Sequence, residues 1–204
     1  GSQRFEFEET DKKTGETKTF VYAGYRESPA KWEKGTEPTP IGWYAGMQYD
    51  GDVANAKKVL ADLNEYYPGA KGYEVAGFFW WQGDKDRYNA AHASRYEQNL
   101  VHLIAQLRKD FEAPNAKFVM ATLGQTEKGA TGNEGLILDA MFAVDGKSGK
   151  KGDRFGKYLL ARLRRILEGA EAKGLAIEAA FNSCLACTLV VQVDPVAEHA
   201  ARVR

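Results

Sequence analysis

Gln82, Gly83 and Asp84 stand in a row directly after the apolar run Gly77-Phe78-Phe79-Trp80-Trp81. In α/β proteins chemistry collects at such junctions, because the buried strand fixes the side chains at its end while the loop opens them to a crevice. A carboxamide there offers N–H donors without bringing charge, which suits an oxygen that turns negative during acyl transfer. Gly83 lets a bound molecule approach the backbone closely. The plainer reading of Gln82 is an amide that caps the adjoining loop. Trp80 and Trp81 alternate across the strand, so one indole enters the core and the other faces the opposite layer, where an aromatic face can stack on a ring. Gln125 and Thr126 come after the next apolar run, Phe118 to Leu123, and parallel strand ends bring such residues to one edge. Thr126 is equally suited to capping the next element.

The elements that position these residues are legible as periodicities. Val53, Ala56, Val59, Leu60, Leu63 and Tyr67 recur at helical spacing from Asp52, and Pro68-Gly69 ends the helix. A strand is predicted over Glu74 to Trp80. Tyr96, Leu100, Leu103, Ile104, Leu107 and Phe111 form the stripe of a second helix, a strand comes next over Lys117 to Leu123, and a third helix covers Asn133 to Val144. Helix and strand in alternation predict right-handed crossovers and a parallel sheet, with both apolar strands central and covered on both faces. Upstream, Arg4 to Glu8 and Lys18 to Tyr22 alternate around a polar turn and predict a hairpin within residues 1–27. Ser28 to Trp43, with Pro29, Pro38 and Pro40, reads as an ordered loop pinned by Trp32 and Trp43. Downstream, Phe155 to Ala172 reads as a basic amphipathic helix and Leu189 to Val193 as an edge strand.

The run Trp80-Trp81-Gln82-Gly83-Asp84, the loop tyrosine Tyr88, the helix from Tyr96 and the strand Phe118 to Gly124 occur in the order found in the SGNH-type carbohydrate esterases. In particular they resemble the sialate O-acetylesterase-like group, over roughly residues 20–148. The resemblance implies an α/β three-layer sandwich of flavodoxin-like type with a central, mainly parallel sheet, in a single esterase-like domain over 1–204 that diverges from 150 onward. It implies hydrolysis of an acetyl ester on a carbohydrate, with Gln82 as oxyanion donor, the Gly83 backbone assisting, and Trp81, Asp84, Gln125 and Thr126 as substrate contacts. Asp84 stands where the group commonly has a glutamate; one methylene shorter, it can orient a loop or a sugar hydroxyl, or pair with Arg87.

Two departures bear on catalysis. The Gly-Gln-Ser-Asn or Gly-Asp-Ser block that carries the group's nucleophile is absent, and Asp194-Pro195-Val196-Ala197-Glu198-His199 has the wrong spacing for its Asp-x-x-His block. Ser28, Ser94, Ser148 and Ser183 sit in contexts unlike a nucleophile elbow, and His92, His102 and His199 are scattered. The expectation is a chain that begins after the nucleophile block, is incomplete relative to the group, and hydrolyses esters weakly or not at all. A non-catalytic carbohydrate-binding or scaffold domain is the alternative. Loss of a first strand would leave apolar surface for a second copy, so a homo-oligomer is a further expectation.

Composition narrows the partners. Lys+Arg and Asp+Glu number 28 each in 204 residues, so no net field draws nucleic acid or an anionic membrane surface. No apolar run approaches the roughly 18 residues of a membrane span. The leading Gly1-Ser2 resembles an expression scar, and a leader removed before it would place the protein in a secreted or periplasmic setting. Cys184 and Cys187 have dithiol or half-zinc-site spacing, without the further cysteine pair or clustered histidines that either chemistry calls for. Buried free thiols are the simpler reading, and no cofactor and no metal are expected.

Overall fold

The computed structural model describes residues 3–122, 126–127, 129–145 and the backbone of 187–193. The chain divides into two compact units, Gly1–Val53 and Ala54–Arg204.

In the first unit, β1 (Phe5–Thr10), β2 (Thr17–Tyr22) and β3 (Lys31–Glu33) form an antiparallel sheet in that order. Asp11 builds the predicted turn: its carboxylate accepts the N–H of Lys13 at 2.7 Å and of Thr14 at 3.1 Å. Along β1 exposed and half-buried residues alternate, the period-2 pattern of a sheet wet on one face. Cross-strand ion pairs, Glu9–Lys31 at 2.6 Å and Glu6–Lys34 at 2.7 Å, decorate it. The segment expected to be an irregular loop departs from that expectation at β3, because Trp32 pairs with Val21 and extends the hairpin by one short strand. Three residues of strand fit between Pro29 and Gly35, and the prolines confine the element to that length.

Helix α1 (Met47–Ala61) starts five residues before the apolar periodicity suggests and runs across the boundary of the two units. The earlier start takes Gly51 into the helix interior, which tolerates one glycine at a cost of about 1 kcal/mol. The chain breaks at Asp62 and continues as the short α2 (Leu63–Tyr66).

The second unit is built on β4 (Tyr73–Trp80), which lies between β5 (Lys117–Met120) and β6 (Cys187–Val193). β4 and β5 are adjacent and parallel, as expected, with Phe78 opposite Phe118 and Trp80 opposite Met120. Gly77 allows this approach: a Cβ there would lie 2.6 Å from the Lys117 carbonyl oxygen. β6 supplies the expected edge strand but runs antiparallel to β4, so the sheet among the described residues is mixed. Of the two strands expected to be central, β4 is; β5 has a strand on one side only among the described residues.

Helix α3 (Ala90–Asp110) covers the face of β4 that carries Phe78 and Trp80. Asn89 caps it, its side-chain oxygen accepting from the N–H of Ala91 at 2.9 Å and of His92 at 3.2 Å. Of the predicted stripe, Tyr96, Leu100, Ile104 and Leu107 are buried, and Leu103 and Phe111 are half-buried at its margins. Helix α4 (Gly132–Ala143) packs on α3 and buries Ile137, Ala140 and Met141. Phe78 and Phe118 are the largest side chains sealed in this core, while Phe79 and Val119 on the other face are half-buried. Full cover on both faces, expected from the continuous apolar runs, is thus not present among the described residues. Such a run reports apolar surface, and burial needs a second layer to meet it. The expected helix over 155–172 lies outside the described residues.

Candidate functional site

The two parallel strands end side by side. The ladder closes with the Ala121 N–H donating to the Trp80 carbonyl at 3.0 Å, and beyond it the chain from β4 enters the corner at residues 81–88. Trp80 is buried in the core, and Trp81, on the other side of the strand, is 41% exposed. One indole in and one out is the division expected from their alternation.

Gln82 is held at both ends of its carboxamide. Its Nε2 donates to Asp86 Oδ2 at 2.5 Å, and its Oε1 lies 3.2 Å from the Tyr96 hydroxyl. The same hydroxyl lies 2.9 Å from the Gln82 backbone carbonyl and accepts the Trp80 indole N–H at 3.2 Å. Burial pushes the Tyr96 phenol far above its ordinary value, the Trp80 hydrogen bond lowers it by less, and the charge of Asp86 adds a still smaller upward push. Tyr96 therefore keeps its proton at any physiological pH and remains a donor.

Gly83 is buried at φ +125°, a conformation that side-chain-bearing residues rarely adopt. Backbone geometry alone thus calls for glycine here, independent of the close substrate approach inferred from the sequence.

Asp84 has its exposed carboxylate on Arg87, with Nε at 2.9 Å. Arg87 is the hub of the loop. Its guanidinium also reaches Glu134 in the first turn of α4 at 2.6 Å and lies over the Tyr88 ring at 4.6 Å, and its backbone carbonyl accepts from Asn133 at 3.1 Å. The single 3₁₀ turn Asp86–Tyr88 is thereby tied to α4, and Tyr88 projects with 69% of its surface exposed. A carboxylate in the first turn of α4 also complements the helix dipole. Ion pairs of this exposure contribute little to stability, so their role is to hold the loop's shape.

Of the other candidates, Thr126 is half-buried beyond β5, while Gln125 lies outside the described residues. Ser94 on α3 donates its hydroxyl to the Ala91 carbonyl at 2.8 Å, and Ser28 exchanges hydrogen bonds with the Ile41 backbone. His92 is exposed and His102 half-buried on α3; Ser148, Ser183, Cys184 and His199 lie outside the described residues. Among the described residues no group of three or more His, Cys, Asp or Glu is placed to hold a metal ion, and no helix is long and apolar enough to cross a membrane.

Asp86 and Tyr96, the partners of Gln82, are the members of this corner that sequence reasoning misses. Apolar periodicity places Tyr96 on the buried stripe for its ring, which says nothing of where its hydroxyl goes. The signal available for Asp86 is its four-residue separation from Gln82 across a turn.

A family model described as carbohydrate esterase, sialic acid-specific acetylesterase, matches residues 24–145. That span takes in the Gln82 corner, the parallel strand pair, α3 and α4. No curated protein and no solved structure matches the chain.

Proposed function

The chain belongs to the carbohydrate esterases described as sialic acid-specific acetylesterases, and we propose that its corner at 81–88 takes an O-acetylated sugar, with Gln82 donating to the ester oxygen during hydrolysis. The observation that carries this reading is the held carboxamide. A primary amide has two N–H groups; one goes to Asp86, and the other has no acceptor among the described residues. When a nucleophile adds to the acetyl carbonyl, the carbonyl oxygen takes on negative charge. A prepositioned neutral donor stabilises that charge, and loss of one such donor lowers turnover by about 100-fold or more. The sugar hydroxyl then leaves and acetate is released by water. Trp81 offers a ring face to the sugar and Asp84 a carboxylate to its hydroxyls, with Thr126 and Gln125 as the proposed further contacts. Family membership and the parallel β4/β5 pair support a three-layer sandwich of SGNH type around this corner.

The second reading, a domain that binds acetylated carbohydrate without cleaving it, is favoured by the described serines. Ser28 and Ser94 both spend their hydroxyls on nearby backbone, so neither is poised as a nucleophile. Hydrolysis of p-nitrophenyl acetate, run beside labelling with a fluorophosphonate, separates the two. Turnover together with stoichiometric labelling supports the hydrolase and names its serine. Binding of acetylated sugar with neither turnover nor label supports the binding domain. Absence of turnover, label and binding together would remove both.

A further inference from the structure

We propose that Asp86 and Tyr96 are positioning residues that fix the Gln82 carboxamide in one of its two flip states, with a single N–H directed away from the protein's own acceptors. The proposal rests on the reading of Gln82 as the donor to the ester oxygen. A carboxamide side chain can turn about its last bond and exchange its oxygen for its nitrogen, so an unrestrained glutamine presents a donor only part of the time. The corner removes that freedom from both sides. An aspartate carboxylate only accepts hydrogen bonds, so it must face Nε2, which lies 2.5 Å away. The opposite flip would set Oε1 against the carboxylate, two acceptors with no proton between them.

Tyr96 holds the other end. Its ring is buried at 5% exposure, and its hydroxyl oxygen already accepts the Trp80 indole N–H, so its own proton points toward Gln82. Two Gln82 oxygens lie within reach of that one proton, the backbone carbonyl at 2.9 Å and Oε1 at 3.2 Å. The hydroxyl therefore ties both the strand end and the side chain to the buried wall of β4 and α3. Asp86 sets which way the amide faces, and Tyr96 sets where it sits. With Oε1 toward Tyr96 and one N–H on Asp86, the remaining N–H is the one without an acceptor among the described residues. Fixing a donor before the reaction spares its reorganisation as charge develops.

The test reads the amide itself. In 15N-labelled protein the Gln82 side-chain N–H pair is identified by its loss in Gln82→Ala, and sodium acetate serves as a probe carrying a negative oxygen of product shape. The expected result is a Gln82 pair displaced from the positions of exposed glutamines and shifted further by acetate. In Asp86→Ala and in Tyr96→Phe the pair moves toward the exposed-glutamine positions and the acetate response weakens. Should Tyr96→Phe fail to fold, Asp86→Ala, in the half-buried turn, carries the test alone. With an O-acetylated sugar as substrate, Asp86→Ala is expected to lower kcat about tenfold or more while KM holds, as misplacement of a catalytic group does. An acetate response without any acetate release from substrate would retain the clamp and remove the hydrolase reading. A wild-type Gln82 pair at the exposed-glutamine positions, or an acetate response unchanged in both variants, would overturn the proposal.

Discussion

Each unit of the chain contains a tyrosine hydroxyl aimed at a polar side chain, and the two arrangements are built on opposite principles. In the second unit the buried Tyr96 hydroxyl serves an uncharged glutamine. In the first unit the Asp50 carboxylate takes the Tyr25 hydroxyl at 2.5 Å and the Tyr44 hydroxyl at 3.0 Å, with Arg26 Nε at 3.6 Å. Tyr25 is 41% exposed where Tyr96 is sealed. The Asp50 carboxylate is half-buried, with 22% of its side chain exposed, and water solvates what its partners leave. A buried hydroxyl must spend every donor and acceptor on the protein, since an unmet polar group there is expensive. The first arrangement holds a charge that titrates with pH, while the second presents an uncharged donor held in place, the property wanted in a group that waits for a charge to form.

Substitutions sharpen this contrast, beginning with the largest. Phe118→Ala, in the sealed core beneath the corner, should cost about 3–5 kcal/mol, measured by denaturant unfolding; Phe7→Ala on the half-buried face of β1 should cost distinctly less, and equal losses would deny the difference between the two sheets. Tyr96→Phe should cost about 1–3 kcal/mol, because it strands the Trp80 N–H and leaves the Gln82 oxygens without their donor. Tyr25→Phe removes the corresponding hydroxyl at an exposed site and should move the melting temperature far less. A reversal of that order would show that burial is not what separates the two networks.

The smallest effect is a pH dependence confined to the first unit. The Tyr25 hydrogen bond, together with that of Tyr44 and the charge of Arg26, holds the Asp50 carboxyl below its ordinary range against an opposing desolvation. The stability it contributes is present above the unfolded carboxylate value and is lost as pH falls through the depressed folded value. Tyr25 and Tyr44 are shifted upward, first by their hydrogen bonds to Asp50. Their contribution is present below the ordinary phenol value of about 10 and is lost as pH rises through the raised folded values. Asp50→Asn should flatten both limbs of a stability-against-pH profile, and a profile unchanged by that substitution would contradict the coupling.

The legibility of each feature depends on the kind of signal it leaves in the sequence. The α3 stripe and the parallel β4/β5 pair can be read directly, because apolar spacing is what burial selects. The start of α1 cannot, since Gly51 carries the same local signature whether a helix passes through it or stops. β3 is invisible among prolines because three residues are too few to display a period. In the corner, the position of Gln82 at a strand end is readable from the abrupt change after Trp81, and the division of labour between the two tryptophans comes from alternation. Its partners are not readable in the same way. Tyr96 lies fourteen residues from Gln82, and which polar atom meets its hydroxyl depends on how α3 settles on β4. Gly83 is visible as a glycine, but its φ of +125° is a property of the folded corner.

The role of Gln82 is read most directly from the initial rate of acetate release from O-acetylated sialic acid by the wild-type chain and by Gln82→Ala, with both melting temperatures recorded. A slow release is expected that falls by about 100-fold in the variant while the melting temperature stays within a degree or so, as for a half-buried loop side chain. Release at equal rates from the two proteins would contradict it, because the donor at the end of β4 would then have no part in the chemistry.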